Sequence, residues 1–239
     1  MKTLSQTITK VGKKADRIMW SAYDRSEGDH FQSRRGYLEF SRKRDGTLRV
    51  SEQEARFAFV ESLCQENLSY SIEVPTTNIY NFSGESGEKL SAQTDLQVLG
   101  GRSNRTCNIE FKANGITPKA SCDTKKPIYK DIEKLLREPE WGLWFHLFKG
   151  VNRSTIPNLL CVIAEQIRKV KTKHSDIVAP GLTIHVCVLR EKFSLQKDVP
   201  LCLNDADLAA YLHVEYRVSK NRLTKDRNLN GWCLIEGNP

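Results

Sequence analysis

No apolar run in this chain of 239 residues approaches the ~18 consecutive residues of a membrane-spanning helix. The first residues, Met1-Lys2-Thr3-Leu4-Ser5-Gln6, lack the apolar stretch of a secretory signal. Together these absences lead to the expectation of a cytoplasmic protein with no membrane partner. Cysteine is present seven times, but the number is odd and no C-x-x-C occurs. The cysteines therefore read as free thiols in a reducing compartment, and no pair has the spacing of a zinc site. His30, His146, His174, His185 and His213 form no H-x-x-x-H pair. The chain also has no phosphate-binding glycine loop and no G-x-S-x-G, so the common small-molecule chemistries lack their motifs. No internal repeat or low-complexity tract is visible.

What is present is charge. Lys and Arg number 37 against 29 Asp and Glu, a formal charge of +8. An apolar fraction of 39% beside 28% charged residues fits a globular chain rather than a disordered one. At ~150 residues per domain the length suggests one domain. It divides into an N-terminal extension (1–50), a core (51–189) and a C-terminal extension (190–239). Basic clusters lie at Arg34-Arg35, Arg42-Lys43-Arg44, Lys125-Lys126, Arg168 to Lys173 and Lys220 to Arg227. Each alone is an ordinary solvated face. Several around one site would make a nucleic-acid footprint.

Ile8 to Trp20 reads as a basic helix, Tyr37 to Phe40 as a short strand, and Asp45-Gly46 as a turn. Ser51-Glu52-Gln53-Glu54 is a capping-box pattern opening a helix to Cys64. Its expected apolar face is Phe57, Val60 and Cys64, widened by Phe59 and Leu63, with Glu54, Ala58 and Glu61 on another stripe. Strands are expected at Tyr70 to Val74, stopping at Pro75, then at Ala92 to Leu99 and Thr106 to Lys112. A helix (Ile128 to Arg137), a buried strand (Trp141 to Phe148), a helix (Ile156 to Val170) and a buried strand (Leu182 to Leu189) follow. The tail reads as a short helix from Asp205, a strand (His213 to Val218), a basic loop and a last strand (Trp232 to Ile235). The order α-β-β-β-α-β-α-β is that of an α/β protein with a mixed sheet.

Side chains alternate along a strand, so Glu110-Phe111-Lys112 sets a carboxylate and an ammonium on one face. Asp95 lies on the preceding strand. If the two strands pair, Asp95 and Glu110 come close and repel unless a cation lies between them. Oxygen-only ligation suits Mg²⁺ or Mn²⁺. Such an ion polarises a phosphoryl oxygen and lowers the pKa of bound water, and a neighbouring lysine can stabilise the developing negative charge.

Thr94-Asp95, Glu110-x-Lys112 and the acidic helix before them resemble the PD-(D/E)XK phosphodiesterase superfamily of restriction-endonuclease-like nucleases. The resemblance covers about residues 51–189, with Thr94 in place of the family's proline. It implies a restriction-endonuclease-like fold, a mixed β-sheet flanked by helices around an α-β-β-β-α-β core. It also implies Mg²⁺- or Mn²⁺-dependent hydrolysis of phosphodiesters, with DNA the expected partner, in restriction, repair or defence. Asp95 and Glu110 would be metal ligands, the Phe111 carbonyl a further one, and Lys112 the catalytic lysine. The family often adds a glutamate from the first helix, a role that Glu54 or Glu61 could fill. Seven helical residues span ~10.5 Å, so both cannot serve one ion equally. Glu54 is placed ahead, although its capping-box position explains it without a metal. The helix after the lysine often faces the phosphate backbone in this family, which nominates Lys130, Lys134 and Arg137, with Asn114 and Lys119 nearby. Trp141, Trp144, Phe145 and Phe148 could stack bases, but their apolar context favours core packing. The competing expectation is a non-catalytic nucleic-acid-binding or assembly module whose carboxylates serve structure. A homodimer or a protein partner is left open.

Overall fold

A computed structural model of the chain describes residues 4–27, 38–80, 91–100, 105–113, 125–151, 155–213 and 230–237. Among them are five helices and seven strands. Helices α1 (Leu4–Glu27) and α2 (Glu52–Gln65) precede strands β1 (Ser69–Ile79), β2 (Ser91–Gly100) and β3 (Arg105–Ala113). Then come α3 (Lys125–Arg137), β4 (Trp141–Phe148), α4 (Ile156–Lys173), β5 (Leu182–Val188), β6 (Phe193–Val199), α5 (Asp205–Leu212) and β7 (Cys233–Glu236).

The strands form one mixed sheet in the order β1-β2-β3-β4-β5-β6-β7. β1, β2 and β3 are antiparallel neighbours, β3, β4 and β5 are parallel, and β5, β6 and β7 are antiparallel again. The two parallel connections are made by α3 and α4, as parallel pairing requires a long crossover. β4 and β5 are therefore covered on both faces, and their near-continuous apolar sequence follows from that burial.

Each face of the sheet carries its own core. α1 and α2 cover Leu96, Val98, Ile109, Phe111 and Phe145. Phe59 of α2 packs edge-on to Phe111 and Phe145, with ring centroids 5.7 and 6.0 Å away. α3, α4 and α5 cover Trp144, Phe148, Ile184, Val186 and Leu195 on the other face. Alternation along β3 thus sends Phe111 into the first core and Glu110 towards α3.

Several expectations change. α1 begins before Ile8 and ends beyond Trp20, and it is a core element: Ile8, Val11, Ala15, Met19 and Ala22 are fully buried at helical spacing. No strand spans Leu38 to Phe40; the segment forms only an isolated bridge from Arg42 to Leu48 around the Asp45-Gly46 turn. α2 buries Ala55, Ala58, Phe59, Ser62 and Leu63, while Phe57 is 65% exposed and Cys64 is exposed. Its small residues let the helix approach its neighbours closely, a gain that the size-weighted reading of the sequence did not see. β1 runs through Pro75 to Ile79, which is tolerated because β1 is an edge strand, the place in a sheet where proline is accommodated. β6 was not foreseen. Phe193, Leu195 and Val199 alternate inward as a strand should, but Lys197 occupies the third inward position and masks the pattern. The expected strand at His213 to Val218 and the basic loop to Arg227 fall almost wholly outside the described residues.

Candidate functional site

The register that pairs Leu96 with Ile109 sets Asp95 of β2 beside Glu110 of β3. The Phe111 N–H donates to Asp95 Oδ2 at 2.8 Å, which fixes that carboxylate against the neighbouring strand. The parallel pairing of Lys112 with His146 and of Glu110 with Trp144 continues the same face onto β4. α3 crosses above it. Asp131 and Lys134 border the buried stripe of Ile128, Ile132 and Leu135, so both are turned towards the sheet.

The side chains interlock by charge. Glu110 is 2% exposed, and its Oε2 lies 2.6 Å from Lys134 Nζ. Its Oε1 is buried with no hydrogen-bond partner. Lys134 Nζ also donates to the Gln93 carbonyl at 3.0 Å and lies 3.9 Å from Asp131 Oδ1. Asp131 Oδ2 is 3.0 Å from Lys112 Nζ, and Glu52 Oε1 approaches the same ammonium at 3.4 Å. Burial pushes Glu110 well above the usual carboxylate range; Lys134 pulls it back, while Asp131 and Asp95 push it further. Burial also raises Asp131, against the pull of Lys112 and Lys134. Burial pulls Lys112 down, but the Asp131 and Glu52 carboxylates outweigh it and hold its ammonium above the ordinary lysine value.

Asp95, Glu110 and Lys112 are thus brought together as the strand spacing anticipated. The helix ligand is placed differently. Glu54 Oε2 accepts the Ser51 backbone N–H at 2.8 Å, the capping-box contact, and Glu61 accepts from Gln65 at 3.4 Å along its own helix. The α2 residue that reaches the site is Glu52, at the first helical position. Phe111 gives its side chain to the core. Lys130 is exposed. Lys134 is turned inward onto Glu110, and Arg137 pairs with Glu133 and Asp176 at 3.0 and 2.8 Å. Trp144, Phe145 and Phe148 are fully buried, as core packing requires. Asn114 and Lys119 lie outside the described residues.

Two members, Asp131 and Glu52, were missed. Asp131 had one legible signal: with Lys134 three residues on, it forms a charged pair bordering an apolar stripe, which is where a charge can reach a covered site.

Among the described residues no group of three His, Cys, Asp or Glu side chains is spaced to enclose a metal ion. Mg²⁺ does not need such a cage. It is commonly held by one or two carboxylates, its own waters and a substrate phosphate. Asp95, Glu110 and the unpartnered Glu110 oxygen fit that mode of binding. With all groups ionised, Asp95, Glu110, Asp131 and Glu52 face only Lys112 and Lys134, an excess of two negative charges.

One other cluster has the residue types of a nucleophilic triad. His185 Nε2 lies 2.9 Å from Asp16 Oδ1, and Ser194 Oγ donates to Asp16 Oδ2 at 2.6 Å. Ser194 thus bonds the acid rather than the imidazole, and all three side chains are fully buried between α1 and the sheet. This network docks a helix; it has no activated nucleophile.

Comparison with models of known families, with curated protein sequences and with solved structures returns no match to this chain.

Proposed function

We propose that this chain is a metal-dependent phosphodiesterase of the PD-(D/E)XK type that acts on nucleic acid, with DNA as the expected substrate. One observation carries the reading: Asp95 and Glu110 lie side by side on neighbouring strands, with a buried, unpartnered oxygen on Glu110 and an ammonium two residues along the same strand face. The succession α2-β1-β2-β3-α3-β4, with β3 and β4 parallel, agrees with the α-β-β-β-α-β core that the resemblance implies.

Asp95 and Glu110 would hold Mg²⁺ or Mn²⁺, which when bound polarises a phosphoryl oxygen and acidifies a water. Asp95 is kept in place by the Phe111 N–H. Lys112 is kept charged by Asp131 and Glu52, so it presents a permanent positive charge to the phosphate that develops negative charge during in-line attack. Asp131 and Glu52 are positioning residues for that lysine. The excess positive charge of the chain favours approach of a polyanion, and restriction, repair or defence are the roles that such a nuclease serves.

A second reading has its own support. Lys112 and Lys134 already pair with Asp131 and Glu110, and such a network can serve as structure in a nucleic-acid-binding or assembly module without catalysis. Cleavage of linear, circular and single-stranded DNA in Mg²⁺ or Mn²⁺ decides between them. The nuclease reading expects cleavage by the wild-type protein. It expects loss of at least about a hundredfold in Asp95→Ala and Lys112→Ala, each with an unchanged circular dichroism spectrum. Binding without cleavage, or cleavage that survives both substitutions, overturns the catalytic assignment.

A further inference from the structure

The unpartnered oxygen of Glu110 and the ammonium on its other oxygen belong together. A carboxylate buried to 2% exposure needs a cation if it is to stay ionised, and Lys134 supplies it at 2.6 Å. A single ammonium at Oε2 leaves Oε1 without a partner. The lysine stem comes from α3, outside the pair of strands, and Asp131 sits one turn earlier on the same helix with its Oδ1 already 3.9 Å from Nζ. Closing that gap to an ordinary hydrogen bond takes a rotamer change, not a movement of the helix.

We propose that Lys134 is a resident counter-ion of the candidate metal site, displaced from Glu110 when a divalent cation binds and received by Asp131. The inference rests on the metal-dependent reading above and adds regulation to it. The exchange keeps every charge compensated. Glu110 would hold the incoming cation in place of an ammonium that serves only one of its two oxygens. Lys134 moves to the carboxylate that already holds Lys112, on the more open flank of the site, where Lys112 is 23% exposed. Two lysines then face the side from which a phosphate arrives. Because the cation must displace Lys134, the nucleic-acid-free protein binds divalent ions less tightly than its carboxylates alone would.

The test is Mn²⁺ binding to the full chain without nucleic acid, read from the electron paramagnetic resonance signal of free Mn²⁺. It compares wild type with Lys134→Gln, which keeps a donor for the Gln93 carbonyl, and with Glu110→Gln. The expected result is binding about tenfold tighter in Lys134→Gln, the weight of one charge-assisted hydrogen bond, and loss of binding in Glu110→Gln. Equal or weaker binding in a folded Lys134→Gln protein, with wild type binding and Glu110→Gln not, overturns the displacement and leaves the metal site standing. No binding in wild type or in Lys134→Gln overturns the metal-dependent reading and this inference with it. If Lys134→Gln does not fold, amine acetylation of the wild-type protein read by mass spectrometry replaces it. Lys134 labelling should rise several-fold on saturation with Ca²⁺ while Lys197 stays protected; unchanged Lys134 labelling overturns the displacement.

Discussion

Lys197 is buried like Lys134 but is held in another way. Its ammonium donates to the carbonyls of Tyr211 and Asn230 and lies 3.5 Å from the Tyr211 ring centroid. Carbonyl and ring partners compensate a charge less fully than a carboxylate does, and burial pulls Lys197 down from 10.5 to about 8. Between those values the unfolded chain binds more protons at this position than the folded chain. The contribution of Lys197 to stability therefore rises with pH across the window and is lowest where it is charged in both states. The buried Cys107 and Cys187 thiols and the Tyr23 and Tyr80 hydroxyls are pushed up by burial and lower stability as the solution turns alkaline. The test is therefore a difference: urea midpoints of wild type should gain on those of Lys197→Met as pH rises through the window. At this scale the sequence made only part of the candidate site legible. Asp95, Glu110 and Lys112 could be found because strand alternation is a strict period of two and needs no knowledge of neighbours. Glu52, Asp131 and the inward turn of Lys134 could not, because a helix offers charges at every angle and only the packed structure says which angle faces the sheet. Glu54 shows the same limit: the contact that the structure gives it is the local capping bond to Ser51.

At the scale of elements, α1 demonstrates how a polar network can dock a helix. Asp16 lies in the middle of an apolar face and accepts from Ser194 of β6 while meeting His185 of β5. His185 stacks on Phe145 at 4.5 Å and meets Gln196 through its other ring nitrogen at 3.0 Å. Removing the acceptor would leave Ser194 Oγ and His185 Nε2 without it in a fully buried region. Asp16→Ala should therefore cost about 3 kcal/mol or more, seen as a lower urea midpoint with an unchanged slope. An effect below about 0.5 kcal/mol would show that α1 is held by its apolar face alone. The chemistry of this network also accounts for what could not be read in advance. Ser194 and Gln196 carry no sequence signal of their inward role because their partners lie on α1, 178 and 187 residues earlier in the chain. Strands of near-continuous apolar sequence, such as β4 and β5, were legible to within a residue of their ends.

For the whole molecule, the position of the candidate site follows from the topology. β3 is the strand at which the sheet changes character, antiparallel to β2 on one side and parallel to β4 on the other. Parallel pairing forces a crossover, and that crossover is α3. The same strand that carries Glu110 and Lys112 is thus approached by a carboxylate from β2 and covered by Asp131 and Lys134 from α3. A chain with a formal charge of +8 in this way builds a local excess of carboxylates. On the proposed reading its long-range field would draw a polyanion and its local field a divalent cation. The local part can be tested without substrate. A ligand that binds only the folded state at a hundred times its Kd stabilises it by about 2.7 kcal/mol. For a chain of this length that corresponds to a rise in Tm of about 5–10 °C. Ca²⁺ should produce such a rise in the wild-type protein, and Asp95→Asn, which keeps the shape of the side chain and removes its charge, should abolish it. A monovalent salt at matched ionic strength should not reproduce the rise, because screening acts on all surface charges while Glu110 is buried and Asp95 partly so. A Ca²⁺ effect that persists in Asp95→Asn would place the cation elsewhere on the protein and leave the paired carboxylates as structure alone.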